Sequence, residues 1–72
     1  MDDRRVLHCL ERDIPLVIDD LYHIQRLVED EMDDADFRRE LSPYLMMVGC
    51  AISVLSDMLE VVKRHHRAAV ED

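Results

Sequence analysis

The chain has 72 residues, of which 49% are hydrophobic, one is glycine and two are proline. A chain this short forms at most one domain, and a monomer should be marginally stable without a disulfide, a metal or a partner subunit. So few turn-forming residues exclude a many-stranded sandwich or barrel, and 17 acids against 9 bases argue against general binding to nucleic acid or anionic membranes.

The first half of the chain predicts a helix over about residues 3–33. Its apolar residues recur in alternating steps of three and four, the spacing of a helix-packing seam. They are Leu7, Leu10, Ile14, Val17, Leu21, Ile24 and Val28. Pro15 cannot donate a hydrogen bond to the carbonyl of Glu11, so we expect this helix to be kinked or broken there. The seam keeps its phase across Pro15, which favours the kinked form.

Six acids crowd into residues 29–36, at the end of this helix. They are Glu29, Asp30, Glu31, Asp33, Asp34 and Asp36. Carboxylates are unfavourable at a helix C-terminus, so we predict an acidic connection over about residues 29–42, in which one helical turn directs Phe37 and Leu41 inward. The same six residues form a negative patch that could contact a protein partner with a basic rim.

Ser42 and Pro43 predict the start of a second helix over about residues 43–69, because serine favours the N-cap and proline the first helical position. One apolar stripe on this helix can pack on the first helix. It consists of Leu45, Val48, Ile52, Leu55, Leu59 and Val62. A second stripe, which we place nearly opposite, needs another cover and is the candidate interface for a partner or a dimer. It consists of Met47, Ala51, Val54, Met58 and Val61.

Two long helices and one short connection predict an all-α, antiparallel hairpin that occupies residues 1–72 as a single domain. The uncovered stripe predicts that two hairpins pair into a four-helix bundle. Such a dimer resembles the RNA-binding Rop hairpin dimer of plasmids in architecture only, because no shared sequence motif accompanies the similarity.

Nothing in the chain indicates catalysis or a cofactor. The histidines and one cysteine near the two chain ends, His8, Cys9, His65 and His66, could gather at the open end of the hairpin, but their spacing matches no known zinc pattern. The longest uncharged run, residues 41–56, is shorter than the roughly 20 residues of a membrane span. No secretory signal is recognisable, and a cytoplasmic location is the default expectation.

The sequence therefore predicts a small, acidic, non-enzymatic module for protein–protein interaction. We expect a homodimeric regulator or inhibitor that occludes a target protein, such as an anti-activator, an antitoxin-like inhibitor or an adaptor. Two alternatives remain open, a Rop-like dimer that binds nucleic acid through the basic segment at residues 63–67 and a metal-binding helical bundle.

Overall fold

The computed structural model describes the backbone of residues 3–71 and the side chains of residues 3–68. Helix α1 (Asp3–Arg26) ends in a π-helical turn (Leu27–Glu31), and residues 32–34 connect it to helix α2 (Ala35–Glu71). The helices pack along each other in an antiparallel hairpin that measures 54 × 18 × 15 Å. A 37-residue helix at 1.5 Å per residue is about 55 Å long, so α2 spans the whole molecule. The all-α hairpin is confirmed.

Helix α1 runs without interruption through Pro15, so the alternative of a broken helix is wrong. A proline inside a helix costs about 3 kcal/mol, because it removes one hydrogen bond and crowds the preceding turn. Burial on both sides of Pro15 offsets this cost. Ile14 is buried, and Leu7 and Leu21 lie half-buried one heptad to either side of it. A break would put one half of this packing row out of phase with α2.

Helix α2 begins eight residues earlier than predicted, at Ala35 rather than Pro43. The N-cap is Asp34, whose Oδ1 accepts hydrogen bonds from the backbone N–H groups of Asp36 at 3.0 Å and Phe37 at 3.2 Å. Aspartate is as good an N-cap as serine, and the acids here lie at the positive end of the α2 dipole, where they are favourable. Ser42 is therefore an exposed residue inside the helix, and the predicted cap at Ser42 is wrong.

The connection is consequently much shorter than the predicted residues 29–42. Residues 29–31 complete the π-helical turn, and only residues 32–34 are non-helical. Leu41 is half-buried, as predicted, but Phe37 is 47% exposed. All of residues 33–40 are exposed, so the first turns of α2 contribute little to the packing between the helices.

The seam of α2 is the predicted one. A row of half-buried or buried residues recurs in steps of four and three from Leu41 to His66, and it includes all six residues of the predicted stripe. This row is Leu41, Leu45, Val48, Ile52, Leu55, Leu59, Val62 and His66, and Gly49, Ala51 and Lys63 beside it are half-buried as well. Ile52 and Val62 are 6% exposed and, with Ile14 of α1, form the buried core of the described residues.

The seam of α1 differs from the prediction at two of its seven residues, whereas Leu10 is half-buried as predicted. Val17 and Ile24, which we expected on the seam, are each 45% exposed, while their neighbours Ile18 and Gln25 are half-buried. The observed row is Leu7, Glu11, Ile14, Ile18, Leu21, Gln25 and Val28. Both rows contain Leu7, Ile14, Leu21 and Val28, which recur every seven residues. The predicted row reaches the next of these residues in a step of three and then four, and the observed row in a step of four and then three.

The part of α2 from Ala35 to Ala68 is long and apolar enough to cross a membrane by length and composition alone. The core helix of a soluble protein passes the same test, so this property does not decide the location of the protein. The cytoplasmic location stays a prediction.

The choice of N-cap predicts opposite effects for two alanine substitutions. Asp34→Ala should lower the free energy of unfolding by about 1 kcal/mol, since two backbone N–H groups lose their acceptor. Ser42→Ala, at the exposed helix-interior site, should have no effect or stabilise slightly. Urea unfolding followed by circular dichroism measures both. A larger loss for Ser42→Ala than for Asp34→Ala would place the cap at Ser42 after all.

Gly49, the single glycine, gives a second prediction. A Cβ atom at Gly49 would lie 3.5 Å from Nε2 of Gln25, which is ordinary van der Waals contact. Gly49→Ala should therefore stabilise the hairpin by up to about 1 kcal/mol, the helix-propensity difference between the two residues. The thermal midpoint measures this effect. A clear decrease would indicate that another helix approaches the backbone at Gly49.

Candidate interaction surface

The hairpin buries little of its apolar surface. The chain exposes 5885 Å², whereas a compact monomer of 8.5 kDa exposes about 4,700 Å². No described side chain falls below 2% exposure, and thirteen large hydrophobic residues are exposed. Two helices share only one interface, so the apolar residues outside the seam have no intramolecular cover.

On α2 these residues form a second stripe along one side of the helix. Within this stripe Tyr44, Met47 and Val54 are the most exposed, at 65%, 69% and 64%, whereas Met46, at 73%, lies outside it. Ala51 is half-buried, and Met58 and Val61 are exposed. Each of these six residues directly precedes a residue of the seam, so the second stripe lies about 100° around the helix from the seam. The predicted position nearly opposite the seam is therefore wrong, and Tyr44 joins the predicted set.

On α1 an equivalent stripe exists that the sequence analysis did not assign to a partner. It too consists of the residues directly before the seam residues, and five of the seven are apolar. They are Val6, Leu10, Val17, Ile24 and Leu27. Asp13 and Asp20 complete the row. The signal was present in the sequence as two residues that we had placed on the seam, Val17 and Ile24, which are exposed, and as Leu10, which lies half-buried at the edge of the seam.

The two stripes lie on the same broad side of the hairpin. Both are rotated from their seams by the same angle and in the same sense about the helix axis. When two antiparallel helices face each other, equal rotations in the same sense point to the same side. We call this combined surface the apolar face. None of the six residues of its α2 half is charged, whereas its α1 half carries two carboxylates.

The acidic segment at residues 29–36 surrounds the connection, and all six carboxylate residues are exposed. Part of its charge has a local role. Asp34 caps α2, and Oδ1 of Asp36 lies 3.9 Å from Nη1 of Arg39. The guanidinium of Arg38 donates a hydrogen bond to the backbone carbonyl of Glu29, which ties the two helix ends together.

The open end of the hairpin holds one polar contact across the seam. Nδ1 of His66 donates a hydrogen bond to Oε2 of Glu11 at 2.5 Å. The ring of His8 packs edge-on against that of His66, with 6.3 Å between the centroids. His8, Glu11, His66 and Arg12 line a shallow cleft of about 240 Å³. Sequence reasoning missed Glu11, although its place four residues after Leu7 and three before Ile14 puts it on the observed seam.

The four candidate metal ligands do not converge. His8 and His66 are neighbours, but His65 lines a separate cleft with Arg64 and Ala68. The contact of His66 is with Glu11 rather than with Cys9, and Cys9 is half-buried. Within residues 3–68, no three histidine, cysteine or acidic side chains are grouped to hold a metal ion.

The hydrogen bond from His66 lowers the pKa of Glu11 below its usual value of 4.5, and the positive charges of His66, Lys63 and His8 act in the same direction. Burial opposes this shift. The ionised carboxylate is thus favoured in the folded hairpin, where it connects the first turns of α1 to the last turns of α2.

Comparison of the chain with protein-family models, with curated proteins and with solved structures gives no significant match. The class that the structure itself defines is an all-helical hairpin with one uncovered apolar face.

The lowered pKa of Glu11 predicts a specific acid sensitivity. A group whose pKa is lower in the folded state contributes stability above its unfolded pKa and loses that contribution as pH falls. Glu11→Gln should therefore be less stable than the wild type at pH 7, and the difference should shrink as pH falls below 4.5. Urea midpoints from pH 7 to pH 3 measure it.

Glu60→Gln is the matched control, since it removes one exposed carboxylate of α2. A difference between wild type and Glu11→Gln that stays constant over the whole pH range would show that ionised Glu11 has no role in stability.

Proposed function

We propose that this chain is a non-enzymatic protein–protein interaction module that acts through its apolar face. The observation that carries the proposal is the α2 half of this face, where six apolar residues recur with helical spacing and none of the stripe positions is charged. Soluble monomers rarely expose contiguous apolar patches of more than a few hundred Å², and larger patches mark interaction sites.

The face suits a helical partner surface. Residues at steps of three and four present one continuous ridge, which is the pattern by which an amphipathic helix fills a groove or packs in a bundle. Met47 and Met58 add adaptability, since methionine side chains repack easily against different surfaces. We infer that the hairpin forms a homodimeric four-helix bundle and acts as a regulator or inhibitor that occludes a target protein.

The acidic segment at residues 29–36 would increase the rate at which a partner associates rather than the final affinity. Exposed charges at the edge of an interface steer association and select partners with the opposite charge, and they add little to the final affinity. A target with a basic rim around an apolar groove fits both features of the hairpin. Because the target and the second copy of the chain would use the same face, each would compete with the other.

The proposal predicts that a charge on the α2 stripe abolishes association but not folding. Val54 is 64% exposed in the hairpin, so Val54→Asp should leave the helical circular dichroism spectrum largely unchanged. The carboxylate would have to be desolvated in any interface formed by the face, so the dimer should be lost. Light scattering on a sizing column measures the mass, with 8.5 kDa expected for a monomer.

The matched control is Ser53→Asp, which places the same charge on the neighbouring exposed residue but away from the stripe. Ser53→Asp should keep the wild-type mass. If Val54→Asp also keeps a wild-type dimer, the α2 stripe does not form the interface.

A further inference from the structure

The proposed function leaves open what covers the α1 half of the apolar face. This half is substantial, because Val6, Val17, Ile24 and Leu27 are each more than 40% exposed. We propose, on the basis of the proposed function, that the apolar face is covered by a second copy of this chain, with the α1 stripe of each hairpin packed against the α2 stripe of its partner.

The area of the exposed surface fits a second hairpin. The chain exposes roughly 1,200 Å² more than a compact monomer of its mass would. A stable interface of standard size buries about 800 Å² per partner. A face that extends over both helices of a 54 Å hairpin can supply this area, whereas a single helix laid on the α2 stripe would leave Val17 and Ile24 in water.

The charges on the face select the pairing. In a face-to-face twofold dimer, α1 packs either on the partner's α1 or on the partner's α2. The first arrangement gathers Asp13 and Asp20 of both copies into one α1–α1 contact, where like charges are poorly screened. The second arrangement sets each α1 stripe against an α2 stripe in which none of the six residues is an acid. Interfaces are depleted of acids at their core for the same reason.

The second arrangement also fixes the register without further adjustment. Its twofold axis runs along the length of the hairpin, so residues at the same height in the two copies face each other. Within one hairpin, Gln25 lies beside Gly49, so the stripe residues next to them, Ile24 and Ala51, are close in height. The proposal therefore places Ile24 of each copy against Ala51 of its partner, close to the middle of α2.

This arrangement brings the two acidic connections to the same end of the dimer, and that repulsion is its main electrostatic cost. The acids there are exposed, and the first turns of the two α2 helices would lie diagonally across the bundle. Exposed charges separated by more than about 8 Å are largely screened at physiological salt. Both arrangements place Asp13 and Asp20 within an apolar contact, but only the α1–α1 arrangement sets carboxylates against carboxylates there, where their repulsion is poorly screened.

Disulfide cross-linking of single-cysteine variants tests the pairing in the full chain. Both native cysteines are free, and Cys9→Ser with Cys50→Ser gives the background. Ile24→Cys and Ala51→Cys are made separately in this background. After mild oxidation, a mixture of the two variants should give a covalent dimer at least tenfold faster than either variant alone.

Each other outcome contradicts the proposal in a different way. Rapid cross-linking of each variant with itself would show that like helices face each other. A dimer by light scattering that cross-links in no combination would show that the apolar face is not the interface. A monomeric, helical chain would remove the homodimer of the proposed function as well. If that monomer floats with phosphatidylcholine vesicles, the occupant of the face is a membrane.

The charge substitution Ile24→Asp provides a second readout that does not depend on cysteine chemistry. It should weaken self-association at least tenfold, as Val54→Asp does, whereas Tyr22→Asp should not. Tyr22 is similarly exposed on α1 but directly follows the seam residue Leu21, which places it on the other side of the hairpin. If Val54→Asp dissociates the dimer and Ile24→Asp does not, the α1 stripe is outside the interface, and only this inference fails.

Discussion

A molecule made of two helices has one internal interface, and the other features of this hairpin depend on how little that interface covers. Each helix can present only a narrow row of residues to the other. Among the described residues the seam buries three side chains, Ile14, Ile52 and Val62. Burial of one aliphatic side chain contributes about 1.5–3 kcal/mol, so this core is small compared with the conformational entropy lost when about 70 residues become ordered. Covering a further face is the direct way for such a chain to gain stability.

Polar residues at the open end and near the middle of the seam set the alignment of the helices. Glu11 and His66 pair across the open end, and Gln25 occupies a seam position beside Gly49. A polar group in a seam is unfavourable in any register that leaves it without a partner. Such groups discriminate between registers that the apolar residues alone would allow, since the apolar residues repeat every seven positions on both helices.

The acidic segment shows how one set of charges can have two roles. At the end of α1 its carboxylates oppose the helix dipole, and the last turn of that helix is π-helical. At the start of α2 the carboxylates of Asp33, Asp34 and Asp36 complement the dipole, and Asp34 is the N-cap. The connection is consequently only three residues long. The remaining exposed carboxylates are available to steer a partner, as we propose.

The sequence by itself determined the helical class, the antiparallel pairing and the seam of α2, because these depend on periodicity and on the near absence of turn residues. It could not determine the seam of α1. Two heptad frames share Leu7, Ile14, Leu21 and Val28, and only packing against α2 decides whether Val17 or Ile18 turns inward.

The start of α2 was also decided by the tertiary structure. Ser42 followed by Pro43 is a strong local start signal for a helix. The sequence offers no measure of how strongly it competes with Asp34, which lies eight residues earlier. The earlier start extends the seam by Leu41, and α2 then continues through Pro43. The apolar face likewise required the structure. Its two halves are distant in the sequence, and they become one surface only because antiparallel packing directs both stripes to the same side.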